Sequence, residues 1–361
     1  MSEAAPPVDL VSAASTRGPL VLEARELSKD FRIGHGPRGA ILSAVRAVSL
    51  GLHRRAVVAL VGESGSGKST VAKLLAGQES PTSGQIRLDG ESVRPSSRRS
   101  FRRYKSEVQM VFQDPFASIN PVHKVRYPLQ RAVRLHQREL GREAVAAELA
   151  RLLEEVRLTP PEHFLGRYPH ELSGGQRQRV AIARALAVKP RVLLADEPVS
   201  MLDVSIRLEV LDVIDQLRAR FELAVLYITH DIASARYFAD ETLVMYAGEI
   251  VERGPSEDLT QQPAHPYTQL LLAAAPDPDR LGAPIERRVL RGAAQAASAL
   301  STTIGCRFSP RCPFADERCR TQSPPLRRIA PERAAACWRL DVAAPDLVIE
   351  GQQERSAPVK A

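Results

Sequence analysis

The sequence contains no cysteine before Cys306, and its 4 cysteines all fall between there and Cys337. With no thiol in the body of the chain, a disulfide framework does not hold the fold. Long apolar runs are also missing. The longest, AVVALVG (56–62) and LAVLYI (223–228), have the length of buried strands and fall short of the ~18 residues a membrane-spanning helix needs. The opening MSEAAPPVDLVSAASTRGPL has neither the basic nor the apolar region of a signal peptide and reads as a flexible leader over 1–19. These absences point to the cytosol, where thiols stay reduced.

What is present is a globular composition, 44% apolar and 25% charged, with a net charge of +8. That balance permits contact with nucleic acid or an anionic membrane face without requiring either. The basic run RPSSRRSFRRYK (94–105) interleaves only Phe101 and Tyr104 and reads as a solvated helix face, with no base-reading module beside it. There is no internal repeat. Residues 20 to about 260 alternate β-branched runs with amphipathic stretches, the pattern of an α/β architecture. GREAVAAELARLLEEVRL (141–158) predicts a helix with Val145, Leu149, Leu152, Leu153 and Val156 on one face. Around 276–303 the pattern weakens into a linker; the cysteines follow, then a polar tail from 341.

Three motifs carry chemistry. GESGSGKST (62–70) follows the strand AVVALV and opens a helix at TVAKLL, the context a phosphate-binding loop requires. Its glycines let backbone N–H groups turn inward, the helix N-terminus adds its positive dipole end, Lys68 reaches the terminal phosphates and Ser69 supplies a hydroxyl for Mg2+. A glycine-rich structural turn is the bland alternative. RVLLADEP (191–198) is an apolar strand ending in two carboxylates. A buried strand has no use for them, but at its C-terminal end they face a ligand crevice. Asp196 then suits Mg2+ and Glu197 suits the base that polarises an attacking water; a solvated loop start is the other reading. LSGGQRQR (172–179) places two glycines after a serine at a helix start, a second anion site. One monomer rarely needs two terminal-phosphate sites, so this one serves a nucleotide held by another subunit.

LSGGQ resembles the signature of ATP-binding cassette (ABC) ATPases, and the remaining family motifs stand in order over roughly residues 20–275. The resemblance implies that Gly62, Glu63, Ser64, Gly65, Ser66, Gly67, Lys68, Ser69 and Thr70 hold ATP. It makes Gln113 in MVFQDP the glutamine that senses Mg2+ and the transmembrane partner. It puts Asp203 of SMLD near a dimer seam, makes His230 in LYITHD the switch histidine on the γ-phosphate, and lets Phe31 in SKDFRI stack on adenine. Ser173, Gly174, Gly175 and Gln176 would close on the partner's ATP. Local alternatives are a capping or packing histidine, a core phenylalanine and a simple turn at Gln113–Pro115. The implied fold is an ABC-type nucleotide-binding domain over 20–260, with a P-loop RecA-like core, an antiparallel β subdomain and a helical subdomain at about 115–180.

AGEIVERGP (247–255) and QQPAHPYTQLLLAAAPDP (261–278) resemble the C-terminal extension of oligopeptide and dipeptide importer ATPases, so 261–340 reads as that extension and 341–361 as a flexible tail. Val199 stands where many relatives have Thr, but Asp196, Glu197 and His230 are intact, so the site is expected to hydrolyse ATP. The spacing C-x5-C-x6-C-x17-C (Cys306, Cys312, Cys319, Cys337) lacks the tight pairs of structural zinc sites. It leans toward a larger [4Fe–4S] cluster, and the resemblance agrees; zinc and four unliganded buried thiols are the alternatives. Arg307, Arg311, Arg318 and Arg320 border the cysteines and are expected to offset thiolate charge.

The implied protein is a peripheral ATPase on the cytoplasmic face of the membrane. Its partners would be a second, non-identical ABC ATPase subunit, two permeases and an extracytoplasmic substrate-binding protein, with no direct nucleic-acid contact. Peptides are the leading solute, with sugars and nickel as rivals. A soluble ABC ATPase acting on nucleic acid or ribosomes is the alternative class.

Overall fold

The computed structural model describes residues 18–33, 40–93, 98–114, 119–274 and 304–345. The leader up to residue 17, the linker over 275–303, the first residues of the basic run and the tail beyond 345 lie outside them. Strands run in chain order β1 (Leu20–Ile33), β2 (Ala40–His53), β3 (Val57–Val61), β4 (Ser83–Leu88), β5 (Glu91–Ser92), β6 (Val108–Val111), β7 (Val192–Asp196), β8 (Ala224–Thr229), β9 (Glu241–Tyr246), β10 (Glu249–Pro255), β11 (Arg327–Ala330) and β12 (Arg333–Ala335). They form a four-stranded antiparallel sheet, β2-β1-β4-β5, and an eight-stranded sheet, β11-β12-β10-β9-β3-β8-β7-β6. In the larger sheet β9, β3, β8, β7 and β6 are parallel, and β10, β12 and β11 extend the edge antiparallel.

The parallel strands are buried on both faces, which is why they read as unbroken apolar runs. Side chains alternate across a strand, and here successive residues enter two different cores. Val58, Leu60, Leu194, Leu226 and Ile228 pack with the helix Lys68–Leu75 and with Leu22, Leu27 and Leu50 of the antiparallel sheet. Val57, Ala59, Val61, Leu193, Val225 and Tyr227 pack with helices on the opposite face. Those include Arg126–His136, Arg142–Glu155 and Gly174–Leu186. The face expected for 141–158 is buried at Val145, Leu149, Leu152, Leu153 and Val156. Tyr104, expected on a solvated face, is 4% exposed and donates its hydroxyl to Leu75 O, because the basic helix Arg98–Glu107 packs against β6 and turns this ring toward the C-terminal end of the helix that follows β3.

The C-terminal segment is stitched to this core through β10. β12 pairs with β10 at Glu252↔Ala335 and Arg253↔Ala334. The Glu252 side chain is fully buried and accepts the main-chain N–H groups of Ala264 and His265, each at 2.8 Å, with Arg333 Nη2 at 3.4 Å. Burial holds its carboxyl above the usual range despite those partners. His265 is 1% exposed and its Nδ1 accepts the Tyr267 N–H at 3.0 Å. Burial pushes the imidazole down to about 3, so it is neutral and serves as a fixed acceptor at the start of the helix Pro266–Ala274. Glu252→Ala should destabilise the chain by about 3–5 kcal/mol, because it leaves Arg333 buried without its carboxylate and orphans two N–H groups. Denaturant titration of both proteins measures the difference.

Candidate functional site

β3 delivers the chain into Gly62–Gly67, and the helix Lys68–Leu75 starts directly after it. Two glycines are required by space and by backbone geometry. A Cβ on Gly62 would stand 2.2 Å from Met245 O. Gly67 has φ +107, and a Cβ there would stand 2.3 Å from Ala44 O. Ser64 and Gly65 form an exposed tip. Lys68 is 4% exposed, and its ammonium donates to Gly62 O at 2.7 Å and Glu63 O at 2.8 Å. Burial lowers its pKa, and the nearby Glu197, Asp196 and Glu63 carboxylates pull the other way. Ser66 Oγ is buried with no hydrogen-bond partner among the described residues. A buried hydroxyl left over in a glycine-rich loop that opens a helix suits an anionic ligand.

β7 and β8 carry the acidic and imidazole groups to the same end of the sheet. Ser69 Oγ donates to Asp196 Oδ1 at 3.1 Å. Burial raises the Asp196 pKa and the Ser69 bond opposes that shift. A hydroxyl and a buried carboxylate are the hard oxygen donors that Mg2+ prefers. Glu197 follows with φ 45, a left-handed conformation strained for a side chain with a Cβ, and its N–H is held by Ile228 O at 2.9 Å. Gln113 Nε2 donates to Glu197 Oε2 at 2.9 Å, and His230 Nδ1 lies 3.4 Å from the same oxygen. Both contacts converge on Oε2, and no hydrogen bond or ion pair to Oε1 is found among the described residues.

Ser173, Gly174, Gly175 and Gln176 are built differently. Ser173 caps the helix Gly174–Leu186: its Oγ accepts the Gln176 N–H at 3.3 Å while Gln176 Oε1 accepts the Ser173 N–H at 3.0 Å. A Cβ on Gly175 would meet Ile206 Cγ2 at 2.5 Å, so this turn packs tightly on the helix Val204–Phe221. Among the described residues no hydrogen bond or ion pair joins this turn to Gly62–Thr70. Asp203 stands exposed at the N-cap of Val204–Phe221 without a side-chain cap. Phe31 lies on β1 with the Lys29 ammonium 5.0 Å from its ring.

The four cysteines are gathered in one place. Cys306 N–H donates to Cys319 O at 2.8 Å. Cys337 feels the charges of Cys312, Cys306 and Cys319. Burial is the main force raising all four thiols, to about 11 for Cys306 and Cys312 and about 12 for Cys337. Main-chain N–H groups point at the sulfurs, as Arg339 N does at 3.3 Å from Cys337 Sγ. Among the described residues no group of three or more His, Cys, Asp or Glu side chains is placed to hold a metal ion. The expected charge balance is different too. Arg311 pairs with Glu63 and Arg307 with Glu249, while Arg318 stacks 3.6 Å over Trp338. These three guanidinium groups engage a carboxylate or a ring, and the cation felt by Cys312 and Cys319 is Arg339.

Sequence reasoning missed two residues at the phosphate loop. Tyr267 Oη accepts the Glu63 N–H at 2.8 Å, and Arg311 clasps the Glu63 carboxylate with two bonds of 2.9 Å. Their motifs, HPYT and PRCP, were legible, but nothing in the sequence says that they reach position 63.

The family described as "ABC transporter" matches residues 45–200, and "Oligopeptide/dipeptide transporter, C-terminal region" matches 251–319. The di/tripeptide transport ATP-binding protein DppF of Pseudomonas aeruginosa is 41% identical over 88% of this chain and 97% of its own length. A putative peptide import ATP-binding protein of Brucella ovis is 43% identical over 90% of this chain and 99% of its own. Among solved structures, cbiO1 of Clostridium perfringens, part of an ABC transporter complex, superposes with TM-score 0.59 at 26% identity, covering 67% of this chain and 91% of that one. A dimeric bacterial ABC transporter cassette gives TM-score 0.58 at 26% identity over 65% of this chain and 98% of that one.

Gly67→Ala should weaken binding of a fluorescent ATP analogue by at least ~10-fold, since a strained φ and a backbone clash together exceed ~1.4 kcal/mol. Titration against the wild-type chain measures it.

Proposed function

The chain belongs to the ABC transporter ATPases of the oligopeptide/dipeptide branch, and from that premise we propose that it is the ATP-hydrolysing motor of a membrane importer of dipeptides or oligopeptides. The convergence of Gln113 and His230 on one oxygen of Glu197, beside the Ser69–Asp196 pair, carries the reading. No described helix is long and apolar enough to cross a membrane, so the permeation path would belong to permease partners. A substrate-binding protein would select the solute. The curated relatives named as peptide import proteins favour peptides over sugars or nickel.

In this reading Gly62–Thr70 wraps the phosphates of ATP, and Phe31 stacks on its adenine. Lys68 leaves the loop carbonyls for the β- and γ-phosphates. Ser69 and Asp196, with Gln113, would hold Mg2+, which neutralises phosphate charge when bound. Glu197 keeps Oε2 engaged by Gln113 and His230, so Oε1 takes the proton of the attacking water. The water oxygen bonds to the γ-phosphorus, the bond from that phosphorus to the bridging oxygen breaks, and ADP leaves with the electron pair. His230 steadies the γ-phosphate. The orphan N–H groups at the start of Gly174–Leu186 close on ATP held by a second ATPase subunit of different sequence. Exposed Met201, Val204 and Leu208, at 61%, 72% and 51%, flank Asp203 and fit such a seam.

The four cysteines are proposed as ligands of a [4Fe–4S] cluster. Gathered soft donors with N–H groups aimed at the sulfurs support it. Anaerobic purification with iron, sulfide and zinc quantification decides it: about four irons and four sulfides per chain is the expected result, and one zinc without colour overturns it. Glu197→Gln is expected to bind ATP but to hydrolyse it at least ~100-fold more slowly, and to accumulate as a closed ATPase pair by size-exclusion chromatography. Wild-type turnover in that variant would remove Glu197 from the role of base.

A further inference from the structure

Glu63 is held at three points. Its main-chain O accepts Lys68 Nζ at 2.8 Å, its N–H donates to Tyr267 Oη at 2.8 Å, and both carboxylate oxygens accept Arg311 at 2.9 Å. Two of these three holds come from beyond the cassette's last parallel strand. Arg311 is carried by the cysteine segment itself: its N–H donates to Phe308 O at 2.9 Å, and Ser309 N–H donates to Cys306 O at 2.9 Å. The Arg311 side chain is 7% exposed. Its guanidinium lies 5.8 Å from the Tyr246 ring and 5.6 Å from Phe308, and Tyr267 packs on those rings at 4.6 and 5.5 Å. The aromatic wall fixes the fork, and the fork fixes the carboxylate.

The electrostatic consequence concerns the nucleotide. Glu63 lies within reach of Lys68, on whose charge it acts. A bare carboxylate there would repel a triphosphate bound in the same loop. A planar guanidinium bonded at both oxygens offsets that charge. We propose that Arg311, with Tyr267, is a positioning residue for ATP binding: the cysteine-bearing segment braces the phosphate loop and masks the Glu63 carboxylate, so nucleotide affinity depends on that segment being in place. The proposal rests on reading Gly62–Ser69 as the ATP site.

The test uses the full-length chain, a fluorescent ATP analogue with Mg2+, and steady-state hydrolysis. Arg311→Gln should raise Kd and KM about five- to thirtyfold, as a coupling of about 1–2 kcal/mol implies, with kcat at saturation within about twofold. Arg311→Lys should fall between, because a point charge replaces the two-pronged clasp. The deciding variant is Arg311→Gln with Glu63→Gln. Removing the unmasked carboxylate should bring Kd back to within about threefold of wild type, a rescue that a purely structural Arg311 would not show. A folded Arg311→Gln chain with wild-type Kd overturns the proposal, as does a double variant no better than the single. If Arg311→Gln does not fold, the same comparison with Arg311→Lys, alone and with Glu63→Gln, carries the test, and an unchanged Kd there overturns it. A wild-type chain that binds no nucleotide would instead fail the ATPase reading itself.

Discussion

In-register parallel pairing of β6, β7, β8 and β3 is the constraint on which the site depends. Val111 lies beside Ala195, Asp196 beside Ile228, and Val61 beside Thr229. Each strand therefore ends at the same level, and each end hands the chain to a residue with chemistry: Gln113, Asp196 and Glu197, His230, and the phosphate loop. Parallel strands all present their C-terminal ends to one edge, so ligand groups collect there without any long side chain having to reach. Because the strands are buried on both faces, a one-residue slip would exchange the two cores and is strongly disfavoured. Hydrophobic burial thus sets the precision of the polar site.

Burial of charge organises the other end of the molecule. Glu252 and Arg333 are desolvated together, and the carboxylate spends its acceptors on the main chain of Ala264 and His265. Such a pair adds little net stability over an apolar one, but it permits only one register, since any other leaves charge buried alone. This accounts for the HPYT stretch in local terms. His265 is a neutral buried acceptor, Pro266 opens the helix, and Tyr267 places its ring in the core and its hydroxyl at Glu63. The four cysteines then sit on a platform already docked to β10 rather than on a free-standing knuckle.

The LSGGQ turn shows how one local structure serves two ends. Ser173 and Gln176 satisfy each other and start the helix, while tight packing of Gly175 on Ile206 fixes the turn against the helix behind Asp203. A turn so anchored is packed as one piece with that helix. In the proposed ATPase pair, closure over a partner's phosphate would then be a body motion rather than a loop rearrangement.

The sequence by itself determined the α/β class, the strand-to-loop-to-helix context of GESGSGKST, the strand that ends at Asp196 and Glu197, and the amphipathic face of 141–158. These are properties of short windows, where periodicity, glycine placement and a carboxylate at the end of an apolar run carry the information. Only the tertiary structure decided where the long-range partners go. That Gln113 and His230 share one oxygen of Glu197 follows from strand order, which no window contains. That Arg311 leaves the cysteines for Glu63 follows from the pairing of β12 with β10, which swings a segment 248 positions away in the chain onto the phosphate loop. Near the cysteines the arginines looked like counter-charges because sequence proximity stood in for distance. In the folded chain Arg311 and Arg307 are paired with carboxylates remote in sequence, and Coulomb energy follows separation in space rather than along the chain.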